Sequence, residues 1–276
     1  MNMKIKFLIS FLLLVLAIFG FNACKEEPFS IPDHITQDFV DLGTHKLATI
    51  SYGSGSHTVV FENGLGTEMD IWVEPGVFEG VGAVHQAIGY NRGGYDTSET
   101  GPEPRDIPRL ISELDQIIEA KSENEKVVLV GHSLGGAIIR SYAIAYPEKV
   151  EALVFVEASH EDWLTLSQAD ENELVHGIRT EDPDKTGTLM EAQQLIESVD
   201  YLKTLPNLPD VPTVALVSTK LENGITEGYV MQWVAVQESL GEGLSDFTLI
   251  ATDKSGHQIH VDEPQLVIDA ILDVIQ

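Results

Sequence analysis

The chain has 276 residues, of which 43% are hydrophobic, and this is enough for one sizeable core with one insertion. Acidic residues outnumber basic residues by 44 to 16, and the net charge of −28 excludes the basic patch that nucleic-acid binding requires and argues against electrostatic adhesion to anionic lipid. A single cysteine excludes an intramolecular disulfide and a cysteine-based zinc site.

The N-terminus has the layout of an export signal. Two lysines within Met1–Lys6 precede the apolar run Phe7–Phe21, and Cys24 follows closely. This run is shorter than the roughly 20 apolar residues that a spanning helix needs. The segment resembles a bacterial lipoprotein signal. The resemblance implies a signal peptide over residues 1–23 and a lipidated Cys24 that anchors an exported protein in the bacterial cell envelope, at the outer membrane or the cell surface. An uncleaved anchor and an ordinary secretory signal remain open alternatives.

Strand and helix patterns alternate through one domain, residues 35–276, which follows a short tether over residues 24–34. The apolar runs predict strands at Ile35–Leu42, His45–Tyr52, His57–Glu62, Ala83–Asn91, Lys126–Val130, Val150–Val156, Val211–Ser218 and Phe247–Thr252, and helices at Ile107–Lys121, Leu134–Tyr146, Gly228–Leu240 and Pro264–Ile275. Apolar strands separated by helices predict an α/β fold, with a mostly parallel central sheet covered by helices on both faces.

Residues 160–209 interrupt this alternation. The segment is polar, has no clear strand and contains one predicted helical stretch near Met190–Leu205. We therefore expect it to be an insertion that forms a short lid over the C-terminal edge of the sheet.

The strongest chemical signal is the sequence Gly131-His132-Ser133-Leu134-Gly135, which matches G-x-S-x-G. A predicted strand precedes it and a predicted helix follows it, and this context is typical of a nucleophile elbow. The tight turn raises the Ser133 hydroxyl above the sheet, and glycine is needed on both sides because a side chain there would strike a neighbouring element. The alternative is a glycine-rich turn without catalysis.

A serine hydroxyl needs a base to take its proton at neutral pH. Of the nine histidines, His257 lies just after the last predicted strand and just before the last helix. A loop at that point ends at the same sheet edge as Ser133, so we predict His257 as the base. His260, three residues further on, is the alternative.

The third member of such a site is a carboxylate that holds the imidazole in the right tautomer. Glu157 closes the strand Val150–Val156 and is the favoured candidate. Glu222 follows the strand Val211–Ser218 and is the first alternative, and Asp162 and Asp253 are further ones. Each of these acids can equally be a solvated loop residue in so acidic a chain.

The oxyanion formed by serine attack needs backbone donors. One is predicted to be the N–H of Leu134, the residue after the nucleophile. The other is predicted to be the N–H of Leu65, in the loop Glu62-Asn63-Gly64-Leu65-Gly66 after the third strand. An ordinary Asn-Gly turn is the alternative for this loop.

With these motifs, residues 35–276 resemble the α/β-hydrolase superfamily. A bacterial branch of it reads E-x-G-L-G after the third strand and Y-D-R-x-G-Y after the fourth, and this chain has Glu62–Gly66 and Tyr90–Tyr95 there. Asn91 stands where that branch has Asp, so Arg92 is expected to lose a carboxylate partner. Some lipases of this fold place their acid after the sixth strand, and this resemblance favours Glu157.

The resemblance implies a serine hydrolase that cleaves small-molecule carboxylic esters through an acyl-enzyme intermediate. The alternatives are a peptidase, a thioesterase or a carbon–carbon bond hydrolase with the same triad, or a surface lipoprotein that binds a ligand without turnover. No metal or nucleotide motif occurs, so no cofactor is expected, and membrane contact is expected through the N-terminal lipid only. Four further residues either line an apolar acyl pocket or belong to the ordinary core: Trp72, Trp163, Leu164 and Trp233.

Overall fold

A computed structural model describes residues 30–221 and 224–276, and a sheet of eight strands forms the centre of this part of the chain. The strands are β1 (Thr36–Asp41), β2 (Lys46–Tyr52), β3 (Thr58–Glu62), β4 (Gln86–Tyr90), β5 (Val127–His132), β6 (Val150–Val156), β7 (Thr213–Ser218) and β8 (Phe247–Thr252). Their order across the sheet is β1-β2-β4-β3-β5-β6-β7-β8. The pairs β1–β2 and β2–β4 are antiparallel and all the others are parallel, which confirms the predicted mostly parallel sheet.

Helices connect the strands and cover both faces of the sheet. They are α1 (Asp70–Val73), α2 (Val77–Gly82), α3 (Ile107–Lys121), α4 (Leu134–Ala145), α5 (Gln168–Glu181), α6 (Thr186–Ala192), α7 (Leu195–Leu202), α8 (Glu227–Glu238), α9 (Ile259–Asp262) and α10 (Pro264–Val274). Alternate residues of β5 enter different cores: Leu129 packs with α3 and α4 on one face, whereas Val128 and Val130 pack with α2 and α10 on the other. This alternation follows from the two-residue period of a strand.

The segment between β6 and β7 differs from its prediction. A single helical stretch near Met190–Leu205 was expected, but the structure contains three helices there, α5, α6 and α7. They share a small apolar cluster that includes Leu174, Ile178, Ala192 and Leu195. The polar composition of the segment hid this cluster, because so few apolar residues give no clear helical period.

No helix within residues 30–221 and 224–276 combines the length and the apolarity that crossing a bilayer requires. The predicted signal peptide and Cys24 lie outside the described residues.

Candidate active site

Ser133 occupies the tight turn between β5 and α4. Its backbone has φ 52° and ψ −118°, a conformation that residues with a side chain rarely adopt. The flanking glycines make the turn sterically possible: a Cβ on Gly131 would lie 2.6 Å from the carbonyl oxygen of Gly135, and a Cβ on Gly135 would lie 2.4 Å from that of Glu62. The local geometry is therefore that of the strained elbow predicted from the sequence.

Glu157 lies beside Ser133, at the end of the neighbouring strand β6. It also has a positive φ, 48°, and it is 6% exposed. One carboxylate oxygen, Oε1, accepts hydrogen bonds from the backbone N–H of Ser218 at 2.5 Å and from Nε1 of Trp233 at 3.0 Å. These two donors leave the other oxygen, Oε2, directed at the His257 ring, with its distance to Nδ1 being 3.4 Å.

His257 lies in the loop between β8 and α9. Because Nδ1 faces the carboxylate of Glu157, it carries the ring proton in the neutral imidazole and leaves the lone pair on Nε2. The backbone of the same loop is held separately: Nε2 of His132 and the carbonyl oxygen of His257 are 3.0 Å apart, and the nitrogen donates. This arrangement suits an imidazole that acts as a base through Nε2.

Two further histidines pack behind this loop. The His132 ring lies 4.6 Å from the His257 ring and 4.5 Å from the His260 ring, measured between centroids. Burial, and to a smaller extent the nearby His257, lowers the pKa of His260 to about 3. Burial also holds the pKa of His132 well below its ordinary value. Both rings are therefore neutral at physiological pH, and His260, which is fully buried against Trp72, is placed as a packing residue.

The loop after β3 approaches the serine from the other side. A Cβ on Gly64 would lie 3.3 Å from Cβ of Ser133, so this glycine permits the close approach. Leu65 lines the same cavity as Ser133. Leu134 is the first residue of α4, and its N–H has no acceptor within the helix. Both predicted oxyanion donors thus belong to segments adjacent to the serine.

One cavity contains Ser133, His257 and Glu157 on its wall. Its remaining wall is largely apolar and aromatic: Trp163 packs edge-on against Tyr229 at 4.6 Å and tilted against Trp233 at 5.1 Å, measured between ring centroids. These side chains, with Leu164, Ile225 and Val230, bound the space next to the three polar groups.

The four candidate pocket residues divide accordingly. Trp163, Leu164 and Trp233 line the cavity, whereas Trp72 is completely buried and donates through Nε1 to Oδ1 of Asn63 at 2.9 Å. The pocket interpretation of Trp72 was wrong, because short helix α1, which the sequence did not predict, carries it into the core.

The structure describes two of the three alternative acids. Asp162 and Asp253 are absent from the cavity wall, and Glu222 lies outside the described residues. Arg92 has carboxylate partners that the sequence did not indicate. Its guanidinium forms ion pairs with Glu62 and with Glu191, both in the interior. Neither the ion pair of Arg92 with Glu191 nor the hydrogen bonds from Ser218 and Trp233 to Glu157 had a sequence signal, because the partners come from distant segments.

The sheet order, the helices on both faces and the turns at the carboxyl ends of the strands define an α/β-hydrolase fold. Residues 57–193 match the family model described as alpha/beta hydrolase fold. The match and the sheet topology together show that the chain has an α/β-hydrolase fold.

Individual relatives agree with this assignment. The chain is 25% identical over 223 residues to the uncharacterized protein YqjL of Bacillus subtilis, a match that covers 80% of this chain and 85% of that protein. Among solved structures, it is similar to a serine hydrolase involved in carbazole degradation (TM-score 0.63, 17% identity, 87% of this chain and 98% of that chain). It is also similar to a bromoperoxidase from Bacillus anthracis (TM-score 0.67, 16% identity, 87% and 99%). At such identities, the structural likeness shows the fold.

Proposed function

We propose that the chain is a serine hydrolase that cleaves carboxylic esters, with Ser133 as nucleophile, His257 as base and Glu157 as the acid that orients it. One observation carries the proposal. All three side chains lie on the wall of a single cavity, with Oε2 of Glu157 3.4 Å from Nδ1 of His257 and the nucleophile in the strained turn after β5.

The geometry supports a two-step acyl transfer. Nε2 of His257 takes the hydroxyl proton as Oγ of Ser133 attacks the ester carbonyl carbon, and Glu157 stabilises the imidazolium that forms. The N–H groups of Leu65 and Leu134 donate to the oxyanion. The imidazolium then returns the proton to the leaving alcohol. Water, deprotonated by His257, attacks the acyl carbon, and the imidazolium returns the proton to Oγ of Ser133 as the bond to the acid breaks.

The cavity favours substrates with an apolar group beside the ester. Trp163, Trp233 and Tyr229 form an aromatic wall, and apolar ligand surface gains roughly 25 cal/mol for each Å² that leaves water. The insertion 160–209 contributes Trp163 to this wall, which supports its proposed role as a lid. We expect Trp163→Ala to raise KM for p-nitrophenyl butyrate more than for p-nitrophenyl acetate.

The deciding experiment combines activity with covalent labelling. Wild-type protein is expected to hydrolyse short p-nitrophenyl esters and to react with a fluorophosphonate probe at Ser133, and Ser133→Ala is expected to lose both while keeping its circular dichroism spectrum. Hydrolysis retained by Ser133→Ala would end the proposal.

A parallel panel of thioesters, peptide anilides and carbon–carbon bond substrates separates the other reactions of the same triad. A folded wild-type protein that neither hydrolyses any of them nor takes the probe would instead be a ligand-binding protein without turnover.

We also propose that Cys24 carries a lipid that anchors the exported enzyme in the bacterial cell envelope. The support is the layout of the N-terminal segment, with lysines, an apolar run and then the cysteine. Wild-type protein expressed in a bacterium is expected in the membrane fraction and to incorporate labelled fatty acid. The Cys24→Ala variant is expected to incorporate none, and equal labelling of the two would contradict the anchor.

A further inference from the structure

A buried charged network joins the insertion to the loop that faces the nucleophile. Arg92, which follows β4, has a side chain that is 1% exposed. Its Nη1 donates to Oε1 of Glu62 at 2.8 Å, and its Nε and Nη2 donate to the two carboxylate oxygens of Glu191 at 2.7 and 2.8 Å. Glu191 lies on α6, so a bidentate ion pair links the segment after β4 to a helix of the insertion.

The same guanidinium holds two backbone carbonyls of the loop after β3. Nη1 donates to the carbonyl oxygen of Asn63 at 2.7 Å, and Nη2 donates to that of Gly64 at 2.8 Å. A trans peptide is planar, with its C=O and N–H pointing in opposite directions. Because the carbonyl of Gly64 points at Arg92, the N–H of Leu65 in the same peptide points away from it. The face of Gly64 that a Cβ would occupy meets Ser133, 3.3 Å from its Cβ.

Tyr95 makes a second connection between the same two segments. Its hydroxyl donates to Oε2 of Glu191 at 2.7 Å and accepts from the backbone N–H of Gly66 at 3.2 Å. Glu191 thus holds both ends of the loop, one through Arg92 and the other through Tyr95. Because the side chains of Arg92, Tyr95 and Glu191 are buried, moving any one of them leaves an unpaired polar atom in the interior.

We propose that Arg92 is a positioning residue that fixes the Gly64–Leu65 peptide with its N–H toward the Ser133 oxyanion, and that Glu191 of the insertion anchors Arg92 for this task. The insertion therefore completes the oxyanion hole as well as bounding the cavity. This inference rests on the proposed hydrolytic function of Ser133.

The chain contains a matched control for this role. Arg105 is also buried and also binds a glutamate through two nitrogens, Nη1 and Nη2, which donate to Glu113 at 2.9 and 2.7 Å. Among the described residues, the hydrogen bonds of its side chain go to Glu113 and not to the loop. Lysine at either position keeps the charge but loses the bidentate geometry.

The test compares Arg92→Lys with Arg105→Lys in full-length protein. Both are expected to unfold at lower urea concentration than wild type. Only Arg92→Lys is expected to lower kcat on p-nitrophenyl acetate, by about 100-fold with KM little changed, as for the loss of one oxyanion donor. Glu191→Gln, which keeps the size and one acceptor oxygen, is expected to give a smaller loss of kcat and serves if Arg92→Lys does not fold. Equal effects of the two lysine variants on kcat would overturn the proposal.

A second readout separates this inference from the proposed function. In a crystal structure of Arg92→Lys, or of Glu191→Gln, the Gly64–Leu65 peptide is expected to be rotated or to occupy two orientations, while in Arg105→Lys it is expected to be unchanged. An unchanged peptide in the first two variants would overturn the positioning role. The crystal structures test the position of the peptide whether or not the wild-type protein hydrolyses esters. A wild-type protein without esterase activity would end the proposed function but not the positioning role of Arg92.

Discussion

Two adjacent strand ends carry the nucleophile and the acid of the proposed site, and they hold strained backbones by different means. Ser133 follows β5 with φ 52°, and Glu157 follows β6 with φ 48°. The preceding residues, His132 and Val156, are partners in the register of the two strands, so the turns lie side by side. The serine turn is made possible by the absence of side chains at Gly131 and Gly135.

The glutamate turn has no flanking glycine and is held by its own side chain. Ser218 and Trp233 donate to Oε1, and the backbone N–H of Glu157 donates to the carbonyl of Leu216 at 3.0 Å. The turn at Ser133 is possible because its flanking residues lack side chains. The turn at Glu157 is instead held by hydrogen bonds from residues distant in the sequence. Mutations at the two turns are therefore expected to behave differently.

The largest expected effect tests whether Glu157 is the acid. Glu157→Gln keeps the shape but cannot stabilise the imidazolium, so kcat on p-nitrophenyl acetate is expected to fall by roughly 10³- to 10⁴-fold. Glu222→Gln and Asp162→Asn, which alter the alternative acids, are expected to retain wild-type rates. A severe loss in Glu222→Gln with full activity in Glu157→Gln would transfer the role to Glu222.

A smaller effect is expected from one of the remote donors. Trp233→Phe removes the indole N–H that donates to Oε1 of Glu157 at 3.0 Å but keeps an aromatic ring in the wall. A hydrogen bond to a charged group contributes about 1.5–3 kcal/mol, so we expect kcat to fall by roughly 10- to 150-fold. Trp163→Phe is the matched control, because Trp163 lines the same cavity while both donors to Glu157 stay in place. Equal losses in the two variants would mean that the effect comes from packing and not from the carboxylate.

The same difference explains how much the sequence predicts. The elbow follows from five consecutive residues, 131–135, because its constraint is local. Glu157 follows from its place at a strand end, but its donors Ser218 and Trp233 lie 61 and 76 residues further along the chain, and no spacing indicates them. The ion pair of Arg92 with Glu191 was not predicted, because the two residues lie 99 positions apart in the chain.

The fold shows the same division. Strands and long helices such as α3 were predicted because their apolar periods are continuous. The helices of the insertion were largely missed, as they are short or polar and are held by contacts with the rest of the domain.

Stability measurements sharpen the comparison between the two turns. Glycine adopts a positive φ about as readily as a negative one. Any other residue in such a strained conformation lowers the free energy of unfolding by about 1–3 kcal/mol. Ser133→Gly is therefore expected to raise the free energy of unfolding by about 1–2 kcal/mol. Glu157→Gly relieves similar strain but removes the two hydrogen bonds that Oε1 accepts, so its free energy of unfolding is expected to fall below wild type. Urea denaturation of both variants measures this, and a gain at both positions would show that the donors to Glu157 contribute little to stability.

The last and smallest effect concerns the histidines behind the serine turn. Folding lowers the pKa of His260 from its ordinary 6.5 to about 3, chiefly by burial and then through His257. Between these values the unfolded chain binds one more proton at this site than the folded chain, so stability falls as pH drops below 6.5. From pH 6.5 to pH 5.5 the loss from this group is about 1 kcal/mol.

The variant His260→Leu isolates that loss, because other titrating groups are present in both proteins. His132, whose pKa is also lowered by burial, adds a loss of the same sign to both, and Glu62, whose pKa burial raises, contributes the opposite sign to both. Urea denaturation at pH 6.5 and pH 5.5 is expected to show a smaller loss of stability in His260→Leu than in wild type. Equal losses would mean that the His260 imidazole accepts a proton in the folded protein. A charged imidazolium would then lie behind the turn at Ser133, where two neutral histidine rings are expected.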